Sequence, residues 1–300
     1  MKQFFKGALL IAAAIVTGFS AFAGNGHKEA KTKTVRVGDA DIVYRVYGNK
    51  GGTPLVLLAP LGFSLDDWDP AVINGLAGYS TVIVFDNKGV GGSSGKTPAT
   101  IAGMAQDAVS FVKTLGYSKV DILGFSMGGF VAQEIVETEP LLVNKLVLVG
   151  TGPQGAVGLA EIGQKLQGAA NLPPKEVFLA GFFASTASSR KLGEASFARI
   201  QAKKEGRDQP LSKESFGAEF TAVLGWARPD SAGFDRAKSV TNPTLIFAGQ
   251  YDFFLPVINP VKLYETMPNA RLVLLPDAGH ASFFQYPELF VRETGYFLRN

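Results

Sequence analysis

Residues 119–138 read KVDILGFSMGGFVAQEIVET, and this stretch decides the fold. Val120 to Leu123 is a short apolar run broken only by Asp121, the pattern of a buried strand. From Gly129 to Thr138, Phe130, Val131, Ile135 and Val136 recur at helical spacing, with Glu134 and Glu137 on the other side. Between strand and helix stand Gly124-Phe125-Ser126-Met127-Gly128. A strand that passes into a helix through G-x-S-x-G turns so sharply that glycine is needed at its flanks. The turn presents the serine hydroxyl above the sheet edge.

The bare pattern is weak in a chain with 35 glycines in 300 residues, so its context matters. A second match, Gly91-Gly92-Ser93-Ser94-Gly95, follows Asp86-Asn87-Lys88-Gly89-Val90, which is loop chemistry. No helix leaves it, and it reads as a glycine-rich turn. Only Ser126 has a strand before it and a helix after it.

Working outward, strand-length apolar runs recur at 54–58, 81–85, 145–149, 244–248 and 271–275, and 35–37 with 42–47 reads as a hairpin around Gly38-Asp39. Helical stretches lie at 70–77, 101–115, 257–267 and 287–298. Strands alternating with helices predict an α/β fold whose mostly parallel sheet is covered by helices, with its chemistry beyond the carboxyl ends of the strands. Residues 151–235 interrupt the alternation. They lack strand-like runs and read as helices near 159–167, 175–183, 190–204 and 213–226.

At the other end of the chain, Lys2 and Lys6, the apolar run 7–19 and Ala21-Phe22-Ala23 make residues 1–23 a cleavable export signal, too short in its apolar part for a membrane span. The expected destination is periplasmic or secreted, with no membrane attachment after cleavage. The chain has no cysteine, so no disulfide supports it and packing alone must. Removing Lys2 and Lys6 takes the formal charge from +3 to +1. No basic run is strong enough for a nucleic-acid surface, and Lys203-Lys204 reads as a solvated helix face.

A serine hydroxyl needs a base near pKa 7, and the base needs an orienting acid. The chain has two histidines. His27 lies in a polar tail beside the cleavage site. His280 follows the run 271–275 through Pro276-Asp277-Ala278-Gly279 and is the expected base. The acid should come from a strand end between serine and histidine, where Asp252 follows 244–251. Asp277 is a rival, but it stands too near His280 in the chain to reach the far ring nitrogen from below. Asp235 is a weaker rival, placed before a strand instead of after one. Oxyanion donors would be the N–H of Met127 and an N–H of the loop Ala59-Pro60-Leu61-Gly62-Phe63. Pro60 has no N–H, which points to Leu61.

These residues together resemble the α/β-hydrolase superfamily across the mature chain, nearest its esterase, haloperoxidase-like and carbon–carbon hydrolase branch. The resemblance rests on the elbow at Ser126, on Asp86-Asn87-Lys88-Gly89-Val90-Gly91-Gly92-Ser93 as a D-x-R-G-x-G-x-S loop, and on Gly249-Gln250-Tyr251-Asp252. It rests also on Gly279-His280 with Pro287-Glu288, and on the loop 57–62 with Trp68. The first loop departs from it, with Ala59-Pro60 where most of the branch has His-Gly, and Lys88 stands where the family has an arginine. The resemblance implies an eight-stranded sheet in residues 24–151 and 236–300, with a helical cap at 152–235 over the site.

The cap holds many aromatics, and the expected apolar pocket draws on Phe63, Phe125, Phe182, Trp226 and Phe283. The expected activity is metal-free and cofactor-free hydrolysis of a small to medium, mainly apolar carboxylic ester through Ser126, His280 and Asp252. The same triad could serve a lactone, a carbon–carbon bond or peracid formation, or a slow hydrolase-like receptor.

Overall fold

The computed structural model describes residues 30–169, 171–203, 206–228 and 233–300, with only the backbone at 233–235. The export signal read at 1–23, and His27, lie outside the described residues. Residues Lys31–Asn300 form one compact unit.

Eight strands build one sheet: β1 Lys33–Val37, β2 Ala40–Tyr47, β3 Leu55–Leu58, β4 Val82–Phe85, β5 Val120–Phe125, β6 Val143–Val149, β7 Thr244–Gly249 and β8 Ala270–Leu275. Their order is β1-β2-β4-β3-β5-β6-β7-β8. The hairpin β1–β2 is antiparallel and joins the sheet antiparallel to β4; the rest is parallel. Helices α1 Pro70–Ala77, α2 Ile101–Thr114 and α3 Met127–Thr138 follow β3, β4 and β5. After β6 come α4 Ile162–Ala169, α5 Pro174–Phe182, α6 Ala187–Ile200, α7 Lys213–Trp226 and α8 Gly233–Ser239. Then α9 Ile258–Thr266 lies between β7 and β8, and α10 Ser282–Gln285 and α11 Pro287–Arg299 close the chain.

The central strands are apolar at nearly every position because both faces are covered. Alternate residues feed two cores. Val56, Leu58, Ile122, Leu146, Leu148 and Ile246 pack with α2 and α3. Leu55, Leu57, Leu123, Phe125, Val147, Val149 and Phe247 pack with α1 and α11 on the other face. Each such side chain contributes about 1.5–3 kcal/mol when fully buried. Strand β5 sits mid-sheet, with Leu57 opposite Leu123 on one side and Val149 opposite Phe125 on the other. Ser126 therefore leaves the middle of the sheet at its carboxyl edge.

The helices inserted after β6 are tied to that edge by charge. Asp69 is wholly buried, accepts from Ala71 N (2.9 Å) to cap α1, and pairs with Arg199 Nη2 (2.5 Å) and Ser196 Oγ (2.7 Å) of α6. Asp66 bridges Arg45 of β2 (2.5 Å) and Lys203 just beyond α6 (2.8 Å). No helix among the described residues is long and apolar enough to cross a membrane.

Candidate active site

Ser126 has φ 53° and ψ −115°, and no other described residue but glycine has a positive φ. A non-glycine side chain there stores strain, and the surroundings must hold it. They do so through three bonds. Ser126 N donates to Val149 O (2.9 Å), and Ser126 O accepts from Gly129 N (2.9 Å) and Thr151 Oγ1 (2.9 Å). A Cβ on Gly124 would lie 2.4 Å from Gly128 O, and one on Gly128 only 2.0 Å from Leu58 O. These two glycines let the helix fold back onto β5 and onto the end of β3. The helix begins at Met127, two residues earlier than its apolar periodicity indicates, because Ser126 itself starts the turn.

His280 and Asp252 are nearly inaccessible, and His280 Nδ1 lies 2.8 Å from Asp252 Oδ2. The other carboxylate oxygen accepts from Phe254 N (2.9 Å) and Leu255 N (2.8 Å), so Asp252 is fixed by its own loop after β7. With Nδ1 committed to the carboxylate, Nε2 is the ring nitrogen left to move a proton. The imidazole rests on Gly150, whose added Cβ would meet Nδ1 at 3.2 Å, and on Phe125, so it stands beside the serine turn. No Ser126–His280 hydrogen bond is made in this conformation, a looseness common before substrate is bound. The next residue, Ala281, donates its N–H to Phe182 O at the end of α5 (2.9 Å), locking the histidine loop to the inserted helices.

The rival acids go elsewhere. Asp277 is held by Ser188 Oγ (2.6 Å) and Thr186 Oγ1 (2.7 Å), which keep its carboxyl below the usual range. Asp235 lies on α8, ahead of β7. The second G-x-S-x-G match is a structural turn: Ser93 and Ser94 hydroxyls accept from Val43 N (2.9 Å) and Asp41 N (2.8 Å) of β2.

Three aromatic rings surround the imidazole: Phe125 (5.0 Å between centroids), Phe182 stacked on it (5.8 Å, 25°) and Phe254 edge-on (5.1 Å, 73°). Phe63 extends this wall against Phe182 (5.6 Å) and Phe125 (6.1 Å). Two further residues expected at the pocket pack away from the imidazole. Trp226 stacks on Phe130 of α3 (5.4 Å, 16°) within the core on that face. Phe283 is fully buried among Trp68, Phe284 and Phe290, behind Phe125. A place in the cap or close to His280 in the chain does not choose between core and cleft. Phe254 was missed, although its place two residues after Asp252 was a usable signal.

Two acidic features of the loop seam were also missed. Glu219 of α7 is wholly buried and accepts from Gly62 N (Oε2, 2.9 Å) and Asn87 Nδ2 (Oε1, 3.0 Å). Burial pushes its carboxyl up to about 7 against those two bonds. Its one sequence signal is an acid within the apolar run 216–226. Because Gly62 N is already occupied, Leu61 is the non-proline donor left at the start of that loop. Met127, at the first position of α3, has an N–H without an intrahelical acceptor.

The second feature is Asp86, which accepts from Leu65 N (2.8 Å) and Gly92 N (3.1 Å) and also faces the carboxyl of Asp208. Burial first, then Asp208, pushes Asp86 from its ordinary 3.8 up to about 9. Asp86 therefore keeps in the folded chain a proton that the unfolded chain loses, so folding stability falls as pH rises from about 4 to about 9. Asp208→Asn supplies a donor in place of that proton. It should raise the melting temperature by about 2–6 °C at pH 8.5 and by about 1 °C or less at pH 5, read by thermal unfolding at both pH values.

The alpha/beta hydrolase fold family matches residues 53–287. The chain belongs to the α/β-hydrolase family. An α/β-hydrolase fold protein from Chitinophaga pinensis shares 38% identity at a TM-score of 0.88, over 91% of this chain and 99% of that one. A poly(3-hydroxyalkanoate) depolymerase from Ectopseudomonas oleovorans is 29% identical over 76% of this chain and 78% of its own. An enol-lactonase from Burkholderia xenovorans LB400, at 22% identity, shares the fold with a TM-score of 0.71 over 89% and 100% of the two chains. The α/β-hydrolase sheet accounts for the site's location: Ser126, Asp252 and His280 follow β5, β7 and β8 at the carboxyl edge.

Proposed function

We propose that this α/β hydrolase cleaves small to medium, mainly apolar carboxylic esters through an acyl-enzyme on Ser126. The observation that carries the reading is the buried His280–Asp252 pair (2.8 Å) beside a serine held at φ 53°. In the first half-reaction Ser126 Oγ attacks the ester carbonyl while His280 Nε2 takes the hydroxyl proton. Asp252 holds the imidazole with Nε2 outward and balances the charge it gains. The carbonyl oxygen becomes an oxyanion, received by the N–H groups of Leu61 and Met127. The intermediate collapses, the C–O bond to the alcohol breaks, and Nε2 returns its proton to the leaving oxygen. Water then repeats the sequence on the acyl-serine, releasing the acid and restoring Ser126.

The aromatic wall of Phe63, Phe125, Phe182 and Phe254 beside His280 supports an apolar acyl group, because such a wall of rings offers a charged acyl chain no partner. The likeness to a poly(3-hydroxyalkanoate) depolymerase supports the bond type. The apolar run and cleavage site within residues 1–23 support work outside the cytoplasm.

A panel of p-nitrophenyl esters of rising acyl length tests the reading. Turnover should peak at a short or medium chain and fall for acyl groups ending in a carboxylate. Lactone opening without turnover of any open-chain ester would move the same triad to a cyclic substrate. Failure of the purified protein to react with a fluorophosphonate would sink the serine mechanism.

A further inference from the structure

The loop that carries Leu61 has little of its own to hold it. Pro60 donates nothing, and Gly62, at φ 85°, is a residue with wide conformational freedom. The loop's internal bond, Phe63 N to Pro60 O, is long at 3.3 Å. Pro60 O and Leu61 N belong to the same peptide plane, so whatever fixes this turn fixes the direction of the Leu61 N–H. The turn's shorter anchor comes from far along the chain. Glu219 of α7 reaches through a fully buried position and accepts from Gly62 N at 2.9 Å. Its second oxygen takes the Asn87 amide at 3.0 Å, which fixes the carboxylate plane against the loop after β4. A carboxylate buried without a countercharge is costly, and its two hydrogen bonds are what offset that cost. A merely structural tie does not require a charge there. One turn earlier in α7, Ser215 makes such a tie with a hydroxyl, donating to Gly89 O at 2.6 Å.

We propose that Glu219 is a positioning residue for catalysis: its carboxylate holds the Pro60–Phe63 turn so that the Leu61 N–H is aimed at the developing oxyanion. This rests on the ester-hydrolase reading above. On this account the inserted helices are part of the catalytic frame. Residue α7 Glu219 sets the oxyanion loop, as the Phe182 carbonyl at the end of α5 sets the loop of His280.

The test compares wild type with Glu219→Met, Glu219→Gln and Ser215→Ala. Methionine fills the buried space and removes the acceptor; glutamine keeps an acceptor oxygen. Each protein is assayed for kcat and KM on the best ester of the panel. Each is also assayed for the inhibition constant of a trifluoromethyl ketone with the same acyl chain, which forms an oxyanion on the serine. Glu219→Met should lower kcat about 10- to 100-fold, less than outright loss of an oxyanion donor, with KM within about threefold. Its inhibition constant should rise by the same factor as kcat/KM falls. Glu219→Gln should recover to within about fivefold of wild type, and Ser215→Ala should stay within about twofold throughout.

Wild-type kcat and ketone affinity in a folded Glu219→Met protein would overturn the proposal. So would equal kinetic losses in Glu219→Met and Ser215→Ala that track a common loss of melting temperature. A wild-type protein without ester turnover would overturn the ester-hydrolase reading on which the proposal rests; active wild type with an unaffected Glu219→Met would overturn only the role of Glu219.

Discussion

Ser126→Ala should retain no more than about one part in ten thousand of wild-type ester turnover, with substrate binding and melting temperature little changed. On the proposed mechanism Ser126 Oγ is the atom that bonds to carbon, so nothing adjacent can take its place. Its side chain also makes no capping bond to α3, so the alanine loses little structure. Relief of strain at φ 53° is small, because alanine carries the same Cβ penalty. Asp252→Asn should cost about a thousand- to ten-thousand-fold through a different route. The amide presents a donor or a neutral acceptor to Nδ1, and the imidazole loses the charge partner it needs when it becomes cationic. Asp252→Asn also keeps Oδ1 for the Phe254 and Leu255 N–H groups, so the loop should fold. The double variant should be no worse than Ser126→Ala alone, because the triad acts as one unit. Initial rates on the best ester, with active-site titration to count competent protein, check all three. Additive losses in the double variant would mean that Asp252 acts outside the serine pathway.

Gly128→Ala should have the largest structural effect of any single methyl group added to the core. The new Cβ would lie 2.0 Å from Leu58 O, 2.5 Å from Leu58 C and 3.0 Å from Ala59 O. All three neighbours are backbone, so no side chain can swing away; either α3 or the end of β3 must move. The expected loss is more than about 4 kcal/mol, seen as a fall in melting temperature of about 8 °C or more. Activity should fall further than stability, since the displaced segments carry Met127 and the loop of Leu61. Gly168→Ala supplies the contrast. A Cβ there meets nothing within 4 Å in α4, and alanine should stabilise that helix by about 0.5–1 kcal/mol. Thermal unfolding of the two variants reads both signs; a Gly128→Ala protein as stable as wild type would show that the elbow tolerates separation from β3.

Much of this fold was open to reading because its signals are local. The central strands are short continuous apolar runs, and the helix of the elbow shows its period within twelve residues. Asp252 is preferred to Asp277 because it follows a strand between serine and histidine in chain order, whereas Asp277 stands close to His280. The structure accordingly gives Asp252 to His280 and turns Asp277 to Ser188 and Thr186. What escaped the sequence is long-range. Glu219 meets Gly62 across 157 positions, and Asp208 meets Asp86 through a turn with no periodic pattern. An acid that ends up buried looks, in sequence, like any acid on a helix. Trp226 illustrates a related point: membership among the cap's aromatics does not tell core from cleft, and in the structure it stacks on Phe130.

The most direct measurement is the mass of the protein quenched in acid during steady-state turnover of its best p-nitrophenyl ester. After tryptic cleavage the account predicts one acylated peptide, residues 120–145, with fragment ions placing the acyl group on Ser126, and no such adduct in Ser126→Ala. Turnover with that peptide unmodified, or an acyl group carried on any other residue, would contradict it.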